Sequence, residues 1–240
     1  MRIAATLLAS LSLLVPASPV AKPSQPFWHG HSWLSSYIAS ANATLEPEPH
    51  PRVPPTDPQT KLSISDLYKH SFEVDMPYDQ KIHLELRSGS FRVAGSSNQK
   101  ISVHVSGKNA EKAKDFTLDF KRFGNRADMS ILGGGTNLGD IEITIELPKA
   151  SDLYIRMPFG ELSVEGVSGD KDVELHAGDL SIEVGTAADY AHVDASVGAG
   201  DLSAGPFGET HDGLFRSFEK TGPGRYKLHA HLGAGDLILR

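Results

Sequence analysis

The sequence predicts an all-β protein of the β-solenoid type, parallel β-helix-like, with an antiparallel hairpin excursion in its N-terminal half. Two observations carry this. A five-residue phrase, Gly178-Asp179-Leu180-Ser181-Ile182, returns as Gly160-Glu161-Leu162-Ser163-Val164, Gly200-Asp201-Leu202-Ser203-Ala204 and Gly235-Asp236-Leu237-Ile238-Leu239. Looser copies stand at Gly139 to Ile143 and at Gly89 to Val93. From Gly139 to Gly200 the glycines recur every 18 to 22 residues or so, roughly the period of stacked strand-and-turn units, none of which buries its apolar face alone. The second observation is that strand-like alternation runs through the chain from Leu67, with no sustained helical periodicity.

Composition narrows the function classes. The 240-residue chain carries a formal charge of −7 and no cysteine. An acidic chain without a basic face is unsuited to nucleic acid, whose phosphates demand neutralisation. Without cysteine there are no disulfides, thiolate metal sites, thiol nucleophiles or lipid anchors on cysteine.

Residues 1–21 read as a secretory signal peptide: Met1-Arg2, an apolar run from Ile3 to Val15, and small residues at Ala17 and Ala21. The run is shorter than the ~20 residues that span a bilayer. This implies export to the periplasm, cell surface or medium. Residues 22–66 are expected to be a disordered linker. Phe27, Trp28, Trp33, Tyr37 and Ile38 come first, then a proline-dense run from Glu46 to Pro58 that favours extended, semi-rigid chain.

Residues 67–240 form the expected domain. Ile82, Leu84 and Leu86 alternate with polar residues, as do Ile101, Val103 and Val105. Gly124-Asn125 between Phe116 to Phe120 and Met129 to Leu132 signals the hairpin. Lys108 to Lys114 suits a solvated connection with at most a helical turn. Ile141, Ile143, Ile145 and Leu147 make the strongest alternating strand, stopped by Pro148, and Leu153, Ile155 and Met157 lead into the repeat. Gly205 to Gly224 interrupts the array with Phe207, Leu214, Phe215 and Phe218 among charges and histidines. The closing phrase leaves Leu237 and Leu239 pointing inward, with an open strand edge expected beyond them. Either the Gly205 to Gly224 excursion folds over that edge on Phe207, Phe215 and Phe218, or a second molecule pairs with it. A monomer is favoured over the edge-paired dimer.

The repeated glycine-acid-Leu phrase, the Leu147-Pro148 strand end and the closing Gly233-Ala234-Gly235-Asp236-Leu237 resemble the bacterial "putative adhesin" family of β-solenoid domains, over Phe72 to Arg240. The resemblance implies a right-handed stack of β rungs, a right-handed β-solenoid, in a cell-envelope or secreted protein and brings no catalytic residues. A non-enzymatic interaction domain with an envelope or extracellular protein or polysaccharide partner is therefore expected; the alternative is a carbohydrate-active β-helix enzyme, a polysaccharide lyase or hydrolase.

No catalytic, cofactor-binding or metal residues are assigned from the sequence. Stacking would set Asp140, Glu161, Asp179, Asp201 and Asp236 in a row about 4.8 Å apart. Calcium β-rolls use a different glycine-aspartate pattern at a shorter period, so these acids are read as capping turns and keeping the corners solvated. His229 and His231 share a strand face, and His176, His192 and His211 lie nearby in sequence, but no carboxylate stands at a recognisable zinc-ligand spacing.

Overall fold

The computed structural model describes residues 60–63, 71–76, 80–107, 116–133 and 141–240. The expected signal peptide, the aromatic segment, the proline run, Asp140 and the Lys108 to Lys114 connection lie outside the described residues.

The described chain is all-β, and none of its helices is long and apolar enough to cross a membrane. Thirteen strands form one mixed sheet: β1 (Thr60–Ser63), β2 (Phe72–Asp75), β3 (Gln80–Glu85), β4 (Gly89–Ser96), β5 (Lys100–Gly107), β6 (Phe116–Phe123), β7 (Arg126–Gly133), β8 (Ile141–Pro148), β9 (Ser151–Glu165), β10 (Lys171–Ile182), β11 (Tyr190–Ala204), β12 (Glu209–Thr221) and β13 (Tyr226–Leu239).

The repeat phrase is the corner of each of the four long parallel strands β9, β10, β11 and β13. In β9, Leu153, Ile155 and Met157 are buried, and so are Leu162 and Val164. The odd step from Met157 to Leu162 breaks the two-residue alternation, so a straight strand would turn one of the two sets to solvent. Gly160 absorbs the break at φ +124°, and the strand bends so that both arms face one core. Gly178, Gly235 and Gly200 do the same in β10, β13 and β11. A side chain is excluded there by space as well as by backbone conformation: a Cβ on Gly178 would lie 1.8 Å from the Gly160 carbonyl oxygen of the neighbouring strand.

The first arms, before the glycine, continue the sheet from β9 through β3, β7, β6 and β1; the second arms continue it through β4, β8, β5 and β2. β6 and β7 pair antiparallel around Gly124-Asn125, and β1 lines up against β6 from N-terminal of Leu67. One apolar core lies between the arms.

The strands do not stack in chain order. β10 is flanked by β9 and β13, all parallel; β13 is flanked in turn by β11, also parallel, and β12 closes the end antiparallel to β11. After β10 the chain skips one slot, makes β11 and β12, and returns as β13 to fill the gap. The expected open edge at the C-terminal phrase is thereby corrected: Leu237 and Leu239 do point into the core, but β13 is hydrogen-bonded on both sides. The Gly205 to Gly224 excursion covers β11 instead. Phe207 and Phe218 are buried by it and pack on each other at 5.5 Å, whereas Phe215 is 86% exposed, with φ +54°.

Candidate functional site

The outward side chains of the two arms form two surfaces, each built by strand register. On the second arms, Glu142 of β8, Ser90 of β4, Glu161 of β9, Asp179 of β10 and Asp236 of β13 stand side by side. The β11 register sets Asp201 next to Asp236, and Asp212 of β12 faces Asp201. This row holds six exposed carboxylates. Within it, Ser90 Oγ donates to Glu161 at 3.4 Å. The nearby cations are engaged elsewhere: Arg92 and Arg240 both bind Glu165, at 2.5 and 2.6 Å, and hold its carboxyl below the usual carboxylate range. A groove of about 590 Å³ runs alongside.

Register places Asp179, Asp201, Asp236 and Glu161 together, as the repeat implies. Glu142 and Asp212 were not legible in the repeat. β8 sits two residues out of phase with the phrase, so Glu142 takes the level where the motif suggested Asp140. Asp212 arrives on an antiparallel strand that carries no copy of the phrase.

The first arms present two adjacent rows. One contains Asp128 (β7), His83 (β3), Tyr154 (β9), Asp172 (β10), His229 (β13) and Asp194 (β11). The other contains Glu85, Arg156, Glu174, His231 and Ser196 on β3, β9, β10, β13 and β11. The His83 and Tyr154 rings stack at 4.8 Å, and the Arg156 guanidinium lies 3.7 Å above the Tyr154 ring centroid. Burial, with Arg126 beside it, holds the His83 imidazole below its ordinary pKa. Arg156 Nε reaches Glu174 Oε2 at 3.1 Å, and Nη1 stands 2.9 Å from Asp172 Oδ1. His229 Nδ1 meets Asp194 Oδ2 at 3.1 Å, and His231 Nδ1 meets Ser196 Oγ at 2.9 Å.

One donor atom each from Asp172, Glu174 and His229 lie within 4.8 Å of one another. The carboxylates absent from the sequence near His229 come from the next strand over: Asp172 is opposite His229, and Glu174 opposite His231. The fifty-odd intervening residues hide this from any spacing rule. Of the other histidines, His192 lies 3.9 Å from Glu219, His211 lies 3.4 Å from Glu209, and His176 lines a depression of about 300 Å³ with Arg156 and Glu174.

No protein-family model matches the chain, and no curated protein does. Three solved structures share a distant likeness. A "putative cell adhesion protein" from Clostridium sporogenes aligns at 12% identity and a TM-score of 0.45, covering 76% of this chain and 100% of its own. A "putative adhesin" from Bacteroides fragilis aligns at 9% identity and a TM-score of 0.29 over 78% of this chain and 99% of its own. Another from Parabacteroides merdae reaches a TM-score of 0.21 at 9% identity, over 47% of this chain and 60% of its own.

Proposed function

We propose that this chain is an exported, non-enzymatic domain of the right-handed β-solenoid type that acts at the cell envelope or surface by presenting its outer faces to a protein or polysaccharide. Residues 1–21 would be removed on export, and the proline-rich linker ahead of β1 would tether the domain. The observation that supports this is the register of the outward side chains: parallel strands in exact phase set like positions about 4.8 Å apart in straight rows across the sheet. Such a lattice matches an extended, repeating partner better than a small substrate, which calls for an enclosed, mostly apolar cleft. The acidic row selects against polyanions.

The test is a panel of envelope and plant polysaccharides offered to the purified protein, with binding and product release both measured. Binding without turnover is expected. Turnover abolished by a single carboxylate substitution would overturn this reading in favour of a carbohydrate-active enzyme.

A further inference from the structure

We propose that Asp172, Glu174 and His229 bind a divalent transition-metal ion of the Zn²⁺ class on the outer face of the first arms, with Asp194 orienting the histidine. This is independent of the envelope reading above.

The histidine is already arranged as a ligand. Its Nδ1 stands 3.1 Å from a carboxylate oxygen of Asp194, which only accepts, so Nδ1 carries the proton of the neutral ring. Nε2 is left with the lone pair. A carboxylate behind a metal-binding imidazole fixes both tautomer and ring direction.

The second observation is the state of Asp172. Arg156 Nη1 directs its hydrogens to the carbonyls of Ile155, at 2.9 Å, and of Asp172, at 3.2 Å. Asp172 Oδ1 thus has a positive neighbour at 2.9 Å yet accepts no hydrogen bond, although it is shielded from solvent. Its lone pairs are available to a cation. Glu174 supplies a second oxygen; its side chain is 36% exposed and held by Arg156 Nε at 3.1 Å, so it must leave that ion pair to meet the metal.

One donor atom of each side chain already lies within 4.8 Å of the others, and the coordinating atoms must close to roughly 3.3 Å for bonds of about 2 Å in tetrahedral geometry. Side-chain rotation of that size is within reach for half-exposed residues on adjacent strands. One imidazole nitrogen with two carboxylate oxygens suits Zn²⁺ and its transition-metal neighbours; Ca²⁺ prefers six to eight oxygens. Arg156 is the resident competitor, because an entering ion takes over the oxygens it neutralises. Among the described residues no other histidine and acid grouping brings three donors this close.

Full-length protein without a polyhistidine tag, freed of metal by chelator, would be titrated calorimetrically with ZnCl₂ and with CaCl₂. The expected result is one Zn²⁺ per chain, with Ca²⁺ far weaker. His229→Ala should weaken Zn²⁺ binding at least tenfold, and Asp194→Asn by about ten- to a hundredfold. Arg156→Met should tighten it, while Asp179→Asn on the other face leaves it unchanged. Zn²⁺ affinity equal in wild type and His229→Ala, or matched by Ca²⁺, overturns the proposal. Should His229→Ala fail to fold, Co²⁺ decides: visible absorption bands that change in Asp172→Asn support the site, and bands that do not change overturn it.

Discussion

Lys171 occupies an inward position of β10, level with Leu153 and Leu228, where a hydrocarbon would be expected. It is only 2% exposed; its Nζ donates to the Tyr190 hydroxyl at 2.8 Å and to the Gly169 carbonyl at 3.3 Å. Burial lowers its pKa to about 8 and, on the same physics, raises that of Tyr190 to about 12. For the lysine, the unfolded chain binds the proton more tightly, so stability rises with pH between about 8 and 10.5, by an amount on the order of 3 kcal/mol. For the tyrosine, the unfolded chain ionises first, so stability falls between 10 and about 12. The melting temperature should therefore climb from pH 8 to a maximum near pH 10, and Lys171→Met should remove the climb. An unchanged pH slope in that variant would count against the buried amine. Gly178→Val meets two penalties together, a φ of +129° and a backbone oxygen 1.8 Å from the new Cβ. A loss of at least about 3 kcal/mol is expected in denaturant unfolding; a wild-type midpoint would contradict the corner.

At the scale of elements, β12 explains how the stack ends. Strand pairing sets Lys220 opposite Val193, Phe218 opposite Ala195, Arg216 opposite Val197, His211 opposite Leu202 and Glu209 opposite Ala204. Opposed residues share a face, so the core-side positions of β12 are four polar or charged residues and one phenylalanine. Of these only Phe218 is buried, Arg216 and Lys220 being exposed, and charge along an edge strand deters a further strand from joining. Phe218 and Phe207 close the core beneath, joined by Tyr190 at 6.3 Å from Phe207, and Lys220 donates to the Phe207 carbonyl at 3.2 Å. The wild-type protein should scatter light as a monomer, and Arg216→Val combined with Lys220→Val should associate through the bared edge. Association of the wild type, unaltered by the pair of substitutions, would rule out this account of the cap.

Over the whole molecule, the acidic character is concentrated. Five carboxylates at successive strand spacings of about 4.8 Å, Glu161, Asp179, Asp236, Asp201 and Asp212, repel one another across the second-arm face, with Glu142 set apart by Ser90; this is a destabilising arrangement for like charges on neighbouring strands. Added salt screens such exposed charges. Thermal stability should rise between low and physiological ionic strength, and Asp179→Asn with Asp236→Asn should stabilise the protein at low salt by about 1 kcal/mol and flatten the salt dependence. A salt response identical to wild type would place the repulsion elsewhere.

The corner phrase was legible in the sequence because its requirements are local. A glycine with positive φ, an exposed acid and two inward aliphatics five residues beyond the previous set are all properties of one strand, repeated until they show. The acid row was largely legible for the same reason, since in-phase copies must align when parallel strands stack. Which strand neighbours which was not. The phrases of β10, β11 and β13 fit one another equally well in any order, so nothing in them says that the chain skips a slot and fills it later. Only tertiary structure decided that, through the hairpin of β11 and β12 and the aromatic closure by Phe207 and Phe218. The same skip sets Asp172 and Glu174 beside His229, and Asp194 on its other side. Residues far apart along the chain became one constellation because β13 lies between β10 and β11.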